Sequence, residues 1–400
     1  MLRPDTFALT ALLAALTAIG PLSTDMYLPS MPDIARQLGA STTQVQLTIS
    51  SYLIGFAVGQ IVYGPVSDRH GRKPILLAAV ALYCAASLAC ALATSIEMLI
   101  VARFAQALGG SGGIVLARAI VRDLYSGARA GRELSVMGAV MALAPVLAPV
   151  AGGVLQTGFG WRSVFFALVG GGLIGAALVW PLLPETLAAR ATEPVSPSSM
   201  LKSYRVVARS PAYLAYLALA STSFGGLFAW ISGTSFVLQN LYGLSPFEFG
   251  VAFAVGSVGY MGGTMLAARL VMRLGIDNTL GVGVGAMAAG GLGMVVAVAL
   301  GLTSAASLVL PMAIYLGGMG MVLPQAIAGA MTPFPERAGA ASALLGFIQQ
   351  SAAALCGAVV GWLLGESAWP LALAVAAMGC LSLLLWICTR AIRARVSAKN

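Results

Sequence analysis

Twelve stretches of mostly apolar residues divide this chain, each long enough, at about 18 residues or more, to cross a bilayer as a helix. They fall near 7–30, 43–62, 75–93, 95–121, 134–157, 162–183, 212–234, 246–268, 279–301, 306–330, 338–364 and 369–389. No soluble core could bury so many. Charged residues are 9% of the 400, against roughly 25% in an ordinary soluble domain. Hydrophobic residues reach 59% and the mean hydropathy is +0.92. The pattern predicts an all-α integral membrane protein with twelve transmembrane helices.

The net charge of +9 does not point to nucleic acid, because the basic residues sit in alternate loops. All 22 lysines and arginines except Arg36, Arg103 and Arg162 fall on the side shared by the chain ends and the even-numbered loops. The positive-inside rule makes that side, and both termini, cytoplasmic. A cleaved signal peptide at the start is disfavoured, since the first run is too long and holds Asp25. The five cysteines lie inside apolar runs without ligand spacing, and one histidine cannot build a metal cluster. No metal and no cofactor is expected. Residues 185–210, rich in Pro, Ser and Arg, read as a cytoplasmic linker between bundles 1–184 and 211–390, with a basic tail at 391–400.

Between the second and third runs lies Gly64-Pro65-Val66-Ser67-Asp68-Arg69-His70-Gly71-Arg72-Lys73-Pro74. A degenerate copy, Ala268-Arg269-Leu270-Val271-Met272-Arg273-Leu274-Gly275, occupies the equivalent loop of the second half. This predicts two pseudo-symmetric six-helix bundles. The first segment resembles the signature G-x-x-x-D-R-x-G-R-[RK] of the major facilitator superfamily, filled by Gly64, Asp68, Arg69, Gly71, Arg72 and Lys73. The stretch Val101–Gly110 resembles the fourth-helix motif of its proton-coupled members. Ala144–Gly153, with Pro145, Pro149, Gly152 and Gly153, resembles its fifth-helix antiporter motif, although Ala144 and Ala148 replace two glycines. Ser23–Pro32 and Val121–Tyr125 are similar to the bicyclomycin- and chloramphenicol-resistance (Bcr/CflA) subfamily of drug:proton antiporters.

Asp25 and Arg103 are the charges this reading places well inside the bilayer, each roughly 9–12 Å from the outer ends of their helices. Such residues face the protein interior and are functional by default. A structural ion pair between them is the plain alternative. Pro21 removes a backbone donor and frees the carbonyl of Thr17, so the helix is expected to bend just before Asp25. The resemblance implies that Asp25 carries the proton, that Arg103 tunes it and contacts substrate, and that Asp68 pairs with Arg118 or Arg122 as a gate. Tyr52, Gln106, Trp230, Tyr260, Tyr315 and Gln349 are candidate cavity residues.

Gly109-Gly110-Ser111-Gly112-Gly113 fits a nucleophile-elbow pattern, but no base is expected near Ser111. Small-residue packing explains those glycines better, as it does Gly55/Gly59, Gly259/Gly263 and Gly357/Gly361. The reading is therefore a functional monomer in the bacterial cytoplasmic membrane that exports drug-like small molecules in exchange for protons. The alternative on the same scaffold is a proton-coupled symporter of a metabolite or organic acid; an intramembrane serine protease is remote.

Overall fold

The computed structural model describes residues 7–125, 127–187, 197–334 and 337–397, and among these there is no strand. The chain forms two compact units, Met1–Val195 and Ser196–Asn400. The first holds α1 (Phe7–Asp25), α2 (Met31–Gln37), α3 (Thr42–His70), α4 (Arg72–Ala91), α5 (Ile96–Leu124), α6 (Gly127–Phe159) and α7 (Arg162–Leu182). The second holds α8 (Pro197–Ala208), α9 (Pro211–Phe236), α10 (Pro246–Ala299), α11 (Ala305–Met331), α12 (Ala338–Leu363), α13 (Trp369–Cys388) and α14 (Arg390–Ser397).

Eleven of the described helices are long and apolar enough to span a membrane. One of them, α10, has 54 residues, which would extend about 80 Å if straight. It is two spans joined at Gly275, where φ 77° and ψ 173° leave helical space. Counting its arms separately gives the twelve crossings that the apolar runs predict. Helix starts carry their own chemistry. Ser41 with Gln44 and Ser245 with Glu248 form capping boxes at α3 and α10, and Ser95 and Ser210 accept from the first turns of α5 and α9. Each satisfies backbone donors that the helix cannot.

Pro21 lies within α1, the helix stops after Asp25, and the chain continues through a short 3-10 turn, Leu28–Ser30. Within the segment 185–210, α8 occupies twelve residues.

Within the units, glycines set the helix spacing. A Cβ on Gly55 would collide with the carbonyl of Phe104, and one on Gly59 with the Ser111 hydroxyl, so α3 rides on the backbone of α5. In the second unit Gly259 and Gly263 meet the carbonyls of Ala313 and Gly317 in the same way, fixing the first arm of α10 against α11. A Cβ on Gly357 would stand 2.5 Å from the Ser232 hydroxyl. The outward surfaces are apolar: Phe159, Trp180 and Trp362 are 79%, 71% and 75% exposed. Bare surface of that kind suits lipid rather than water.

Candidate functional site

Two constellations form in the first unit. The deeper one surrounds the end of α1. Asp25 is 5% exposed, and among the described residues nothing donates to its carboxyl or forms an ion pair with it. Arg103, on α5, is fully buried. It does not pair with Asp25. Its Nη1 donates to the carbonyl of Ser23 at 3.0 Å and to Oε1 of Gln106 at 2.7 Å. Its guanidinium lies 4.6 Å from the Tyr27 ring centroid and 4.2 Å from that of Tyr52. The alternative of a structural ion pair with Asp25 is not what forms, because a carbonyl and two aromatic faces satisfy the cation locally. Nε and Nη2 of Arg103 have no partner among the described residues.

The surrounding network is continuous. Gln106 donates to Ser87 at 2.8 Å, Ser23 and Tyr83 share a 2.8 Å hydroxyl bond, and Tyr52 donates to the Gly20 carbonyl at 3.1 Å. Tyr52 is within electrostatic reach of both Arg103 and Asp25. Opposite the broken end of α1 comes α6. A Cβ on Gly152 would strike the backbone of Met26, so the glycine lets α6 approach the residue next to Asp25. Pro145 and Pro149 sit inside α6, and Gly153 follows Gly152 on the same helix.

The second constellation is the turn at Gly64–Pro74. Gly71 has φ 101° and ψ 151°, a backbone conformation for which an L side chain is strained. Here α3 ends and α4 begins. The side chain of Arg72 bonds Asp68 at 2.5 Å, Asp123 at 2.9 Å and Ser67 at 2.7 Å. The expected partners of Asp68, Arg118 and Arg122, do not reach it; Arg122 Nε donates to the Arg118 carbonyl. Spacing explains the outcome, since Arg72 stands four residues on, beside the acid. Arg69 is exposed, and nothing stands within 4 Å of a Cβ built on Gly64.

Glu185 completes the turn. One carboxyl oxygen accepts from the backbone N–H of Arg72 at 2.9 Å, the other from Lys73 at 3.2 Å. Burial alone would push this carboxyl up, but backbone N–H bonds from Leu187, Arg72, Lys73 and Thr186 outweigh it and hold it below the usual glutamate value. This is an anion seated on a helix N-terminus. Thr186 donates to Asp123 at 3.3 Å.

Sequence reasoning missed Glu185 and the role of Asp123. It also missed Glu133, 7% exposed on α6 and bonded by the Thr10 hydroxyl at 2.5 Å, so Asp25 is not the sole buried acid of the unit. The apolar run 134–157 begins one residue after Glu133, whereas α6 starts at Gly127. Arg393, within the segment read as a basic tail, is fully buried.

The remaining candidates lie in the second unit. Trp230 and Tyr315 are fully packed side chains, and the Tyr315 hydroxyl donates to the Ser223 carbonyl at 3.4 Å. Gln349 is buried and Tyr260 half-buried. The glycine-flanked Ser111 donates to the Leu108 carbonyl, and His70 bonds the Val66 carbonyl at the end of α3.

Comparison with known proteins agrees with this anatomy. The family profile of the Major Facilitator Superfamily matches residues 13–357. A bicyclomycin resistance protein homolog of Haemophilus influenzae is 30% identical over 384 residues, covering 96% of each chain. Multidrug resistance protein D of Escherichia coli is 29% identical over 389 residues, 97% of each. Among solved structures, a peptide transporter POT in complex with sulfate superposes with TM-score 0.76 at 16% identity, covering 99% of this chain and 97% of that one. The fold is that of the major facilitators, and the chain is a multi-pass membrane transporter rather than an enzyme: it belongs to the Major Facilitator Superfamily.

Proposed function

We propose that this transporter exports drug-like small molecules across the bacterial cytoplasmic membrane in exchange for protons, as a monomer with both termini in the cytoplasm. Relatives named for bicyclomycin and multidrug resistance support the substrate class. The basic-loop asymmetry supports the orientation. The observation that carries the coupling is Asp25, buried at the broken end of α1 without a donor or cation on its carboxyl. Its bonding capacity is left for a proton or a substrate group, and the two exclude each other. Arg103 holds the Ser23 carbonyl, two residues away, and thereby fixes where α1 ends. Its two unfilled N–H groups offer donors to a substrate acceptor.

The test is proton release on substrate addition, measured with purified wild type and Asp25→Asn across a pH series, beside gradient-driven transport in vesicles. The amide keeps the shape of the protonated acid. It should abolish uphill export and proton release while downhill exchange or binding persists. Unchanged proton release from the variant would remove Asp25 as the coupling site. A drug-susceptibility panel with and without expression identifies the compounds.

A further inference from the structure

The membrane-facing ends of the two units differ in how their charge is used. At the side of the turn, the first unit places the acids Asp68, Asp123, Glu133 and Glu185 among its cations. On the equivalent side of the second unit, the described residues offer exposed Lys202, Arg205, Arg209, Arg269, Arg273, Arg337 and Arg390. The acid described there, Asp277, is taken up by Arg393 at 2.7 Å. Among the described residues, that face carries unneutralised positive charge.

Three of these cations sit on or next to α8. The helix ends at Ala208 and the span α9 starts at Pro211, so α8 lies at the boundary between bilayer and water. At 3.6 residues per turn, Leu201, Arg205, Lys202 and Val206 follow one another within an arc of about 140°, and Arg209 stands just past the helix end. Leu201 is 68% and Val206 38% exposed, and the three cations are exposed. Val207, on the opposite side of the helix, is fully buried, and α8 packs on α12 and α9. The helix is anchored by one face and presents a basic face edged by aliphatic side chains.

We propose that this outer face of α8 binds acidic phospholipids, the cations contacting headgroup phosphates while Leu201 and Val206 reach the upper acyl region. Anionic headgroups complement the charge, and aliphatic residues bordering cations fit the interface between headgroup and acyl chain. A cation close to an anionic bilayer surface contributes a factor of roughly five in affinity. The proposal concerns a surface distinct from the transport site and does not depend on substrate or coupling.

The experiment uses the full chain in detergent, exposed to phosphatidylglycerol or phosphatidylcholine, with bound lipid counted by native mass spectrometry at low and high salt. Wild type should retain phosphatidylglycerol over phosphatidylcholine, less so in high salt. Lys202→Gln/Arg205→Gln/Arg209→Gln should weaken that preference roughly tenfold to hundredfold, with unchanged thermal stability. Leu201→Ser should weaken retention of both lipids and leave the salt dependence intact. Equal retention of the two lipids by wild type, or the same preference in the triple variant, would overturn the proposal; the first result would direct attention to an acidic protein partner.

Discussion

The two turns that interrupt the halves share a backbone and differ in their fastenings. Gly71 has φ 101° and ψ 151°, and Gly275, at the equivalent place in the repeat, has φ 77° and ψ 173°. Both are breaks that glycine alone adopts readily. In the first half the new span begins with a cation, Arg72, held by Asp68 and Asp123, while Glu185, just beyond the last span, caps its backbone. In the second half Asp68 is replaced by Met272, 85% exposed. There the new span begins with an acid, Asp277, and the cation comes from beyond the last span: Arg393 donates to Asp277 at 2.7 Å, to the Trp386 carbonyl at 2.8 Å and to the Thr389 hydroxyl. The polarity is reversed, but the span start is tied to the segment after the sixth span in both halves. What the repeat retains is the glycine break and the tie; the charges that make the tie are interchangeable.

The largest effect is expected where the second fastening is cut. Arg393 is fully buried and its acid partner has only 33% of its side chain exposed, so Arg393→Met leaves Asp277 without its cation. Removing one member of a buried pair costs about 3 kcal/mol or more. The thermal unfolding midpoint in detergent should fall markedly, and adding Asp277→Asn should restore much of it. A single variant as stable as wild type would show that α14 does not secure the second turn.

Next come the two glycines. Alanine at either position carries a backbone cost of about 1–3 kcal/mol. The sites differ in what the added Cβ meets: at Gly71 it stands 2.5 Å from Oε2 of Glu185, at Gly275 nothing lies within 4 Å. Gly71→Ala should therefore destabilise more than Gly275→Ala. The reverse order would mean that the Glu185 cap yields without cost.

Asp68→Asn should cost less, up to about 1 kcal/mol, because Asp68 has 46% of its side chain exposed and Arg72 keeps Asp123. Asp123→Asn should cost more, and turnover in reconstituted vesicles should fall in both while substrate affinity stays. Equal losses of stability would remove the distinction between the exposed and the enclosed partner.

The twelve crossings and both glycine breaks were legible because apolar length and a repeated glycine leave marks in composition and spacing. That Asp25 and Arg103 face the protein interior was legible for the same reason. Their bonding was not: a guanidinium on a long stem chose a carbonyl and two ring faces over a carboxylate, and no spacing encodes that choice. The Asp68–Arg72 pair was present in the spacing but passed over for Arg118 and Arg122. Glu185 was hidden more deeply, since the N–H groups it binds belong to the backbone 112 and 113 positions away and any residue supplies them. Arg393 was masked by company, one arginine among several in a basic tail.

The smallest predicted effect isolates the first fastening from the second through pH. Glu185 titrates below the usual glutamate value, because the backbone N–H groups at the start of α4 outweigh the cost of its burial. The charged form is therefore the one the folded state favours. Its contribution to stability is complete above the usual glutamate value and disappears as the pH falls through the lowered, folded-state value. Glu185→Gln keeps one acceptor oxygen and gives up the charge, so it should be slightly less stable than wild type at neutral pH. The gap should hold constant from pH 7 to about 5 and close on further acidification. Thermal unfolding of the two proteins across that range measures it. A pH-independent gap would mean that the cap works through hydrogen-bond geometry alone, and a gap widening toward acid would contradict the lowered titration of Glu185. Arg393→Met, made in the second half where no glutamate among the described residues caps the new span, should leave the closing of that gap unaltered, which separates the two fastenings by pH as well as by size.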